Sequence, residues 1–335
     1  MKKTILFSAI ASLALLSCSD DDTMTAMSTS ELKLVTTSNT TGKVSFTNLL
    51  TTNPTPVALT VNGLDNDGIF YNSTSDELIL ASRTNNRLEV YTGLKSSVAT
   101  SADNLMLSNF SLNTDFTNPR EIAVSGDKVV VTQDQATING NTNKLLVYQK
   151  TATSFTLLNE YTLDFKVWGI HIEGNNLYAV ADLTSDIVVF NNFFSLASGS
   201  VTPSKRVTIE GLIRTHGITY SPEDNVMILT DVASAADATD GGLVIINNFT
   251  SVLNSTQNLG TIAMTNQVRL YGSNTTLGNP VDVAYDYVTN NIYVAERANG
   301  GGNVLTFSFP TSSGNTPPIN SRAEAGVAAV FLVRK

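Results

Sequence analysis

Apolar and polar residues alternate along this chain in short runs, and the runs recur in sets. Val, Ile, Leu, Tyr and Thr fill them, and Asn, Asp, Gly and Ser bound them, which is the pattern of strands joined by tight turns. Residues 213–249 show it most plainly. HGITYS, NVMILTD and GGLVIINNF read as three strands in a row, separated by a short turn at 222–225 and a longer Ala/Asp/Gly-rich loop at 233–242. The same arrangement returns about six times. Its second and third strands pair as 31–37 with 43–48, 76–82 with 87–93, 128–133 with 144–150, 176–182 with 186–192, 225–231 with 242–248 and 291–296 with 303–309. No stretch sustains a helical period with caps, so almost no helix is predicted beyond the first residues.

A first strand precedes five of these pairs: DGIFYN from Asp67, REIAVS from Arg120, WGIHIE from Trp168, HGITYS from His216 and VDVAYD from Val281. The pair at 31–48 has none upstream. The missing copy stands at the far end of the chain as AGVAAV, from Ala325. The last strand therefore supplies the first strand of the first unit, and the ring closes without an open sheet edge. The predicted fold class is all-β, a six-bladed β-propeller of four-stranded blades over residues 31–335, with the first blade closed by the C-terminal strand. Candidate outer strands are 56–62, 104–110, 156–163, 205–211, 267–272 and 319–324. The widest spacing between first strands, from His216 to Val281, holds the 233–242 loop and an extra segment at 250–265.

The first residues read differently. Lys2 and Lys3 precede a short apolar run, 5–16, which ends in Leu15-Leu16-Ser17-Cys18. The run is too short for a permanent membrane span. It resembles a lipoprotein signal peptide, residues 1–17, with cleavage before Cys18 and lipid on the cysteine thiol. Cys18 is the only cysteine, so no intrachain disulfide is available. Ser19-Asp20-Asp21-Asp22 resembles the acidic export signal of Bacteroidota surface lipoproteins, and it also reads as a solvated acidic tether. Residues 18–30 are expected to form a lipidated flexible linker. These resemblances imply an outer-membrane lipoprotein exposed at the cell surface, held to the membrane through Cys18.

Charge narrows the partners. The net charge is −9, and it becomes −11 once Lys2 and Lys3 are removed. That argues against nucleic acid. A glycan, a small molecule or a protein at the rim remains open.

The stretches NPREIAVSGDKVVVTQD, VWGIHIEGNNLYAVAD and NPVDVAYDYVTNNIYVAER resemble six-bladed propellers of the TolB-like kind, which include the NHL-repeat, lactonase and gluconolactonase-like groups. The resemblance implies architecture more than chemistry, because these groups share a blade and not a reaction.

Polar residues at the starts of first strands and the ends of second strands should share one mouth of the channel. Asp67, Arg120, Glu121, Trp168, Arg214, His216 and Asp282 form one set; Ser82, Arg83, Gln133, Asp134, Asp182, Asp231, Glu296 and Arg297 form the other. The candidate ligand-binding residues are Arg120, Trp168, Arg214, His216, Asp182, Asp231, Asp282 and Glu296. His216 faced by Asp231 is a candidate general base with an orienting carboxylate, or else a histidine bonded to a neighbouring blade. Asp182, Asp231, Asp282 and Glu296 are a candidate oxygen set for a divalent cation such as Ca²⁺, or else partners of loop amides and arginines. Trp168 is the only tryptophan; it would stack one ligand ring or pack into the next blade. His171 is expected to be structural, and Asp237, Asp240, Gly241 and Gly242 a surface loop. The function expected is a lipid-anchored binding or scaffold module for a small polar ligand, glycan or protein. The alternative is a metal-dependent hydrolase of lactonase-like kind.

Overall fold

The computed structural model describes residues 29–335; the signal peptide, Cys18 and the acidic Ser19–Asp22 stretch lie outside the described residues. Those described form six small antiparallel sheets in a ring, a six-bladed β-propeller. Blade 1 runs from the channel outward as Val327–Arg334, Leu32–Ser38, Lys43–Asn48 and Val57–Thr60. Blade 2 is Asn66–Asn72, Glu77–Ser82, Arg87–Thr92 and Met106–Phe110, and blade 3 is Pro119–Ser125, Lys128–Gln133, Asn143–Lys150 and Phe155–Leu163. Blade 4 is Val167–Glu173, Asn176–Ala181, Asp186–Phe190 and Lys205–Ile209. Blade 5 is Thr215–Ser221, Val226–Asp231, Gly242–Asn247 and Val268–Tyr271, and blade 6 is Pro280–Asp286, Asn291–Glu296, Asn303–Ser308 and Asn320–Ala323. The C-terminal strand closes blade 1 as the alternation predicted, pairing from Leu32 with Arg334 to Ser38 with Val327.

Local chemistry explains the hairpins. The turn before the second strand holds a left-handed residue in five blades: Asp76, Gly126, Gly174, Asn225 and Asn290. Those are the residue types that adopt positive φ at least cost. The apolar faces then meet between blades. Six buried clusters occupy the six blade junctions, one each. The cluster at the seam between blades 6 and 1 is built around small side chains, with Ala284, Ala295, Val304 and Val327. Polar bonds supplement it. Arg334 grips Asp286 through Nε and Nη2, and the Val330 amide donates to Asp282 Oδ2 at 2.7 Å.

Two features depart from the sequence reading. Short helices, Leu94–Thr100 and Phe249–Ser255, follow the third strands of blades 2 and 5. At about two turns each, they follow strand ends and are too short to leave a helical period in the sequence. The second departure lies at the outer edges. The insertion at 250–265 carries a strand, Thr261–Ile262, that pairs in parallel with the outer strand of blade 4. Gly199–Ser200 does the same to blade 3, and single bridges from Asn104 and Gly314 do so to blades 1 and 5. At four of the six junctions, therefore, the segment approaching one blade's outer strand hydrogen-bonds the exposed edge of the blade before it. This blunts the edges that a ring leaves open on its outside.

Because no blade holds a core of its own, removal of residues 325–335 should abolish the cooperative thermal transition rather than lower it. A truncated chain that melted cooperatively within a couple of degrees of the intact protein would contradict the closure.

Candidate functional site

Each inner strand carries a β-bulge at its start, at the same place in all six sheets. A bulge adds one residue and re-aims the side chains beside it. Register then stacks equivalent residues around the mouth. The outermost ring, in blade order from 2, is Asp67, Arg120, Trp168, His216, Val281 and Ala328. Beneath it lie Gly68, Glu121, Gly169, Gly217, Asp282 and Ala329. A third ring, at the exits of the second strands, is Arg83, Asp134, Asp182, Val232, Arg297 and Asn39.

The glycines of the second ring are there for space. A Cβ on Gly169 would lie 2.1 Å from the His216 carbonyl oxygen, and one on Gly217 would lie 2.7 Å from the Asp282 Cα. Inner strands thus approach backbone to backbone, and this brings the outer ring into contact from blade to blade. Arg120 Nη1 is 3.5 Å from Asp67 Oδ2. The Arg120 guanidinium sits 4.0 Å over the Trp168 ring, and the His216 ring stacks on Trp168 at 3.8 Å and 3°. Trp168 is buried between side chains of the two flanking blades. A ligand ring is therefore not stacked by it in this arrangement; it packs as a blade-junction residue, with a cation–π contact.

Ion pairs fill the mouth over blades 3 to 5. Asp182, fully buried, accepts from Arg214 Nε at 2.7 Å and lies 3.0 Å from Lys166 Nζ and 3.2 Å from His216 Nε2. Burial alone would raise its carboxyl, but the hydrogen bonds and charges of His216 and Arg214 outweigh this and hold it well below the usual carboxylate range. Asp134 accepts from Arg120 Nε and Nη2, both at 3.1 Å, with Lys166 Nζ at 3.6 Å. Removing one member of such a buried network leaves its partners uncompensated, at about 3–5 kcal/mol.

His216 is thus partnered by Asp182 of the preceding blade and not by Asp231. With Nε2 facing Asp182, the buried Nδ1 has no hydrogen-bond partner. Burial lowers the imidazole to about 4, ahead of the opposing pull of Asp182 and with Arg214 and Arg120 adding to the lowering. The ring is neutral near pH 7, and an unpaired Nδ1 is then a bare acceptor.

Asp231 does other work. It accepts from the backbone amides of Ile213, Arg214 and Ala233 and from the Tyr271 hydroxyl. Glu296 occupies the same register position in blade 6 and accepts from the amides of Gly278, Asn279, Ala298 and Asn299. Both carboxylates organise the loops of their own blades. Asp282 bonds the Val283 and Val330 amides along the channel wall. Among the described residues no three His, Cys, Asp or Glu side chains are placed to hold a metal ion. Asp182, Asp231, Asp282 and Glu296 therefore do not converge into the cation set the sequence suggested, since each is committed to amides or cations of its own surroundings. Asp237 and Asp240 bond within their own loop, to Thr239 and Ser234.

Below the mouth the six inner strands enclose a cavity of about 300 Å³. Most of the residues lining it are apolar, with Glu121, Asp282 and His171 set among them. Glu121 and Asp282 sit at one register position in blades 3 and 6, which face each other across the ring. Each accepts from the amide of the residue that follows it, so they satisfy inner-edge N–H groups that no further strand can pair. Burial pushes Asp282 up to about 7. Burial, then the charge of Asp282, raises Glu121 well above its ordinary value. His171 lies deeper than Trp168, edge-on to Tyr220, and burial lowers it to about 4.

Sequence reasoning missed Lys166 and Asn39. Lys166 stands just ahead of the blade 4 inner strand and bridges Asp134 and Asp182. Its signal was its place, one residue before the strand, where Arg214 stands in blade 5.

No family model matches the chain, and no curated protein matches it in sequence. Solved structures do match in shape. The chain is similar to a structure in a nidogen/laminin complex at 11% identity and a TM-score of 0.60, over 90% of this chain and 98% of the other. It is similar to a provisionally assigned 6-phosphogluconolactonase from Bacteroides uniformis at 13% identity and a TM-score of 0.60, over 90% and 99%. A third match, from Bacteroides fragilis and provisionally assigned the same activity, has 11% identity and a TM-score of 0.58, over 91% and 98%. At these identities the likeness is one of fold.

The depressed imidazole of His216 has a measurable sign. Between pH 6.5 and about 4 the unfolded chain binds a proton there that the folded chain refuses, so stability falls on acidification through this window, by up to about 3 kcal/mol. His171 contributes with the same sign, and Asp282, raised in the fold, with the opposite one between about pH 4 and 7. Urea melts across this range should show a shallower slope for His216→Gln than for the wild type, with His171→Gln as comparator. An unchanged slope would mean that His216 is charged in the folded protein.

Proposed function

We propose that the protein is an envelope-anchored binding module, a propeller that presents a small polar ligand, glycan or protein contact at the channel mouth. The observation that carries this is the asymmetry of the mouth. Over blades 3 to 5, Asp134 and Asp182 are saturated by Arg120, Lys166 and Arg214. Over blades 6, 1 and 2, Arg297, Asn39 and Arg83 stand around Asp67 with fewer opposing groups. A rigid, sealed half beside a half with spare donors suits recognition, because little has to be ordered on binding. The anchor rests on the Leu15-Leu16-Ser17-Cys18 pattern and on the tether that follows it.

Trp168 makes the test local. As the only tryptophan, under the Arg120 guanidinium, its fluorescence reports on the mouth. A ligand taken from a panel of sugars, amino acids and short peptides should shift that emission and raise the melting temperature together. Stabilisation without an emission change would place binding elsewhere. For the anchor, Cys18→Ala should move the protein from the detergent phase to the aqueous phase on detergent partitioning of whole cells. A variant still found with detergent would remove the lipid from the proposal.

One observation favours a second reading, a hydrolase acting on a lactone or similar ester. Asp182 orients His216 and leaves Nδ1 unpaired, the arrangement of a general base. Two of the similar structures carry a provisional lactonase assignment. Lactone hydrolysis that His216→Gln abolished, with folding intact, would move the conclusion to that side.

A further inference from the structure

The half of the mouth over blades 6, 1 and 2 is built differently from the rest, and the difference is one of charge. Arg297 leaves the second strand of blade 6 and is half-buried, yet among the described residues no carboxylate lies within 4 Å of it. Its partner is a neutral amide. With the Asn39 side chain turned so that both ends are satisfied, its oxygen accepts from Arg297 Nη2 at 2.6 Å and Nη1 at 3.3 Å, while its nitrogen donates to the Gly326 carbonyl at 3.1 Å. Arg83 faces Arg297 from the other side of blade 1. It gives Nη1 to Asp65 at 3.0 Å and Nε and Nη2 to Asn118 Oδ1 at 3.2 and 3.0 Å. Between them lies Asp67, whose nearest cation is Arg120 at 3.5 Å.

Arg83 and Arg297 thus border Asp65 and Asp67, while Arg120, which also reaches Asp67, gives Nε and Nη2 to Asp134. Burial raises Asp67 against the combined pull of Arg120, Arg83 and Arg297, which weakens the one anion common to all three. Burial and the charges of Arg120 and Arg83 lower Arg297 in turn, while Asp67 pulls the other way. A half-buried guanidinium held by an amide is under-compensated, and a planar fork of N–H donors fits a planar or tetrahedral oxyanion in two-point fashion.

We propose that this half of the mouth is a site for a small oxyanion, a carboxylate or phosphate group carried by the ligand, gripped by the Arg297 fork with Arg83 and Asn39 beside it. The inference rests on the binding-module reading and names the chemical class that the mouth recognises. Asp65, a third exposed, would accept hydroxyl hydrogen bonds from the same molecule. Arg120 would transmit occupancy to Trp168, since it touches both Asp67 and the indole.

The test uses inorganic phosphate, D-gluconate and uncharged D-glucose as probes at constant ionic strength, read by Trp168 emission and by calorimetric titration. Phosphate or gluconate should bind saturably and shift the emission. Arg297→Gln should weaken that binding at least tenfold. Arg297→Lys, which keeps the charge and loses the fork, should fall between. Lys128→Gln, at the opposite end of blade 3, should bind as the wild type. Failure of both anions to bind, or equal binding by Arg297→Gln with an unchanged melting temperature, would overturn the assignment. Glucose, or a neutral glycan from the panel, that shifted Trp168 emission where the anions did not would overturn the oxyanion while leaving the mouth as a binding site. No emission change with any probe or panel member would sink both.

Discussion

No blade of this protein can bury its own apolar faces. Each of the six apolar clusters straddles a junction, so every blade depends on two neighbours and the ring depends on its last strand. The seam between blades 6 and 1 has the smaller side chains, and polar contacts reinforce it. Arg334 with Asp286 pins one end of the seam, and Asp282 with the Val330 amide pins its channel side. Closure is thus enforced by directional bonds where dispersion is weakest. An ion pair or a carboxylate–amide bond specifies geometry in a way that a methyl contact does not.

Closure also sets the electrostatics. Inner strands that approach within the width of a glycine bring side chains of adjacent blades closer together than residues within one blade. The Asp67–Arg120–Trp168–His216 chain follows directly, with one residue from each of four successive blades. Charged groups placed there lose water, and each must find a partner in the next blade or shift its protonation. Asp182 and Asp134 took the first course, and Glu121, Asp282 and His216 took the second. Stability of the ring and charge at its mouth are one problem, solved by the same residues.

The strands, their order and the closing role of the last one could be read from the sequence, because period-two alternation and Asn/Gly turns are local properties. So could many of the residues that reach the mouth, since the register repeats, though Lys166 and Asn39 could not. What could not be read was who meets whom. Asp231 looked like the partner of His216 because both belong to one hairpin, yet the bulge re-aims His216 toward Asp182 of the preceding blade. Asp231 and Glu296 looked like ligands because carboxylates at a mouth suggest one. Each instead collects the amides of a loop whose course no local pattern fixes. The cross-blade strands at 261–262 and 199–200 were hidden for a related reason. Two residues carry no periodicity, and their partner lies in another unit.

The first described residues and the C-terminal residue meet on one face. The amides of Ser30 and Glu31 donate to the Lys335 carbonyl, and the Lys335 amide donates back to Glu31. Leu32 lies at that face, and Ser38, at the other end of the same strand, reaches the mouth beside Asn39. The strand is clamped on both sides, by Val327–Arg334 and by Lys43–Asn48. Mechanical load gives this layout its meaning. A pull on the chain upstream of Thr29, resisted by something held at the mouth, would run along the axis of Leu32–Ser38. Two hydrogen-bonded ladders would then bear it in shear, all rungs at once, where a pull across the strand would open them one by one. The strand on which the closing strand pairs is thus the one along which such a force would pass.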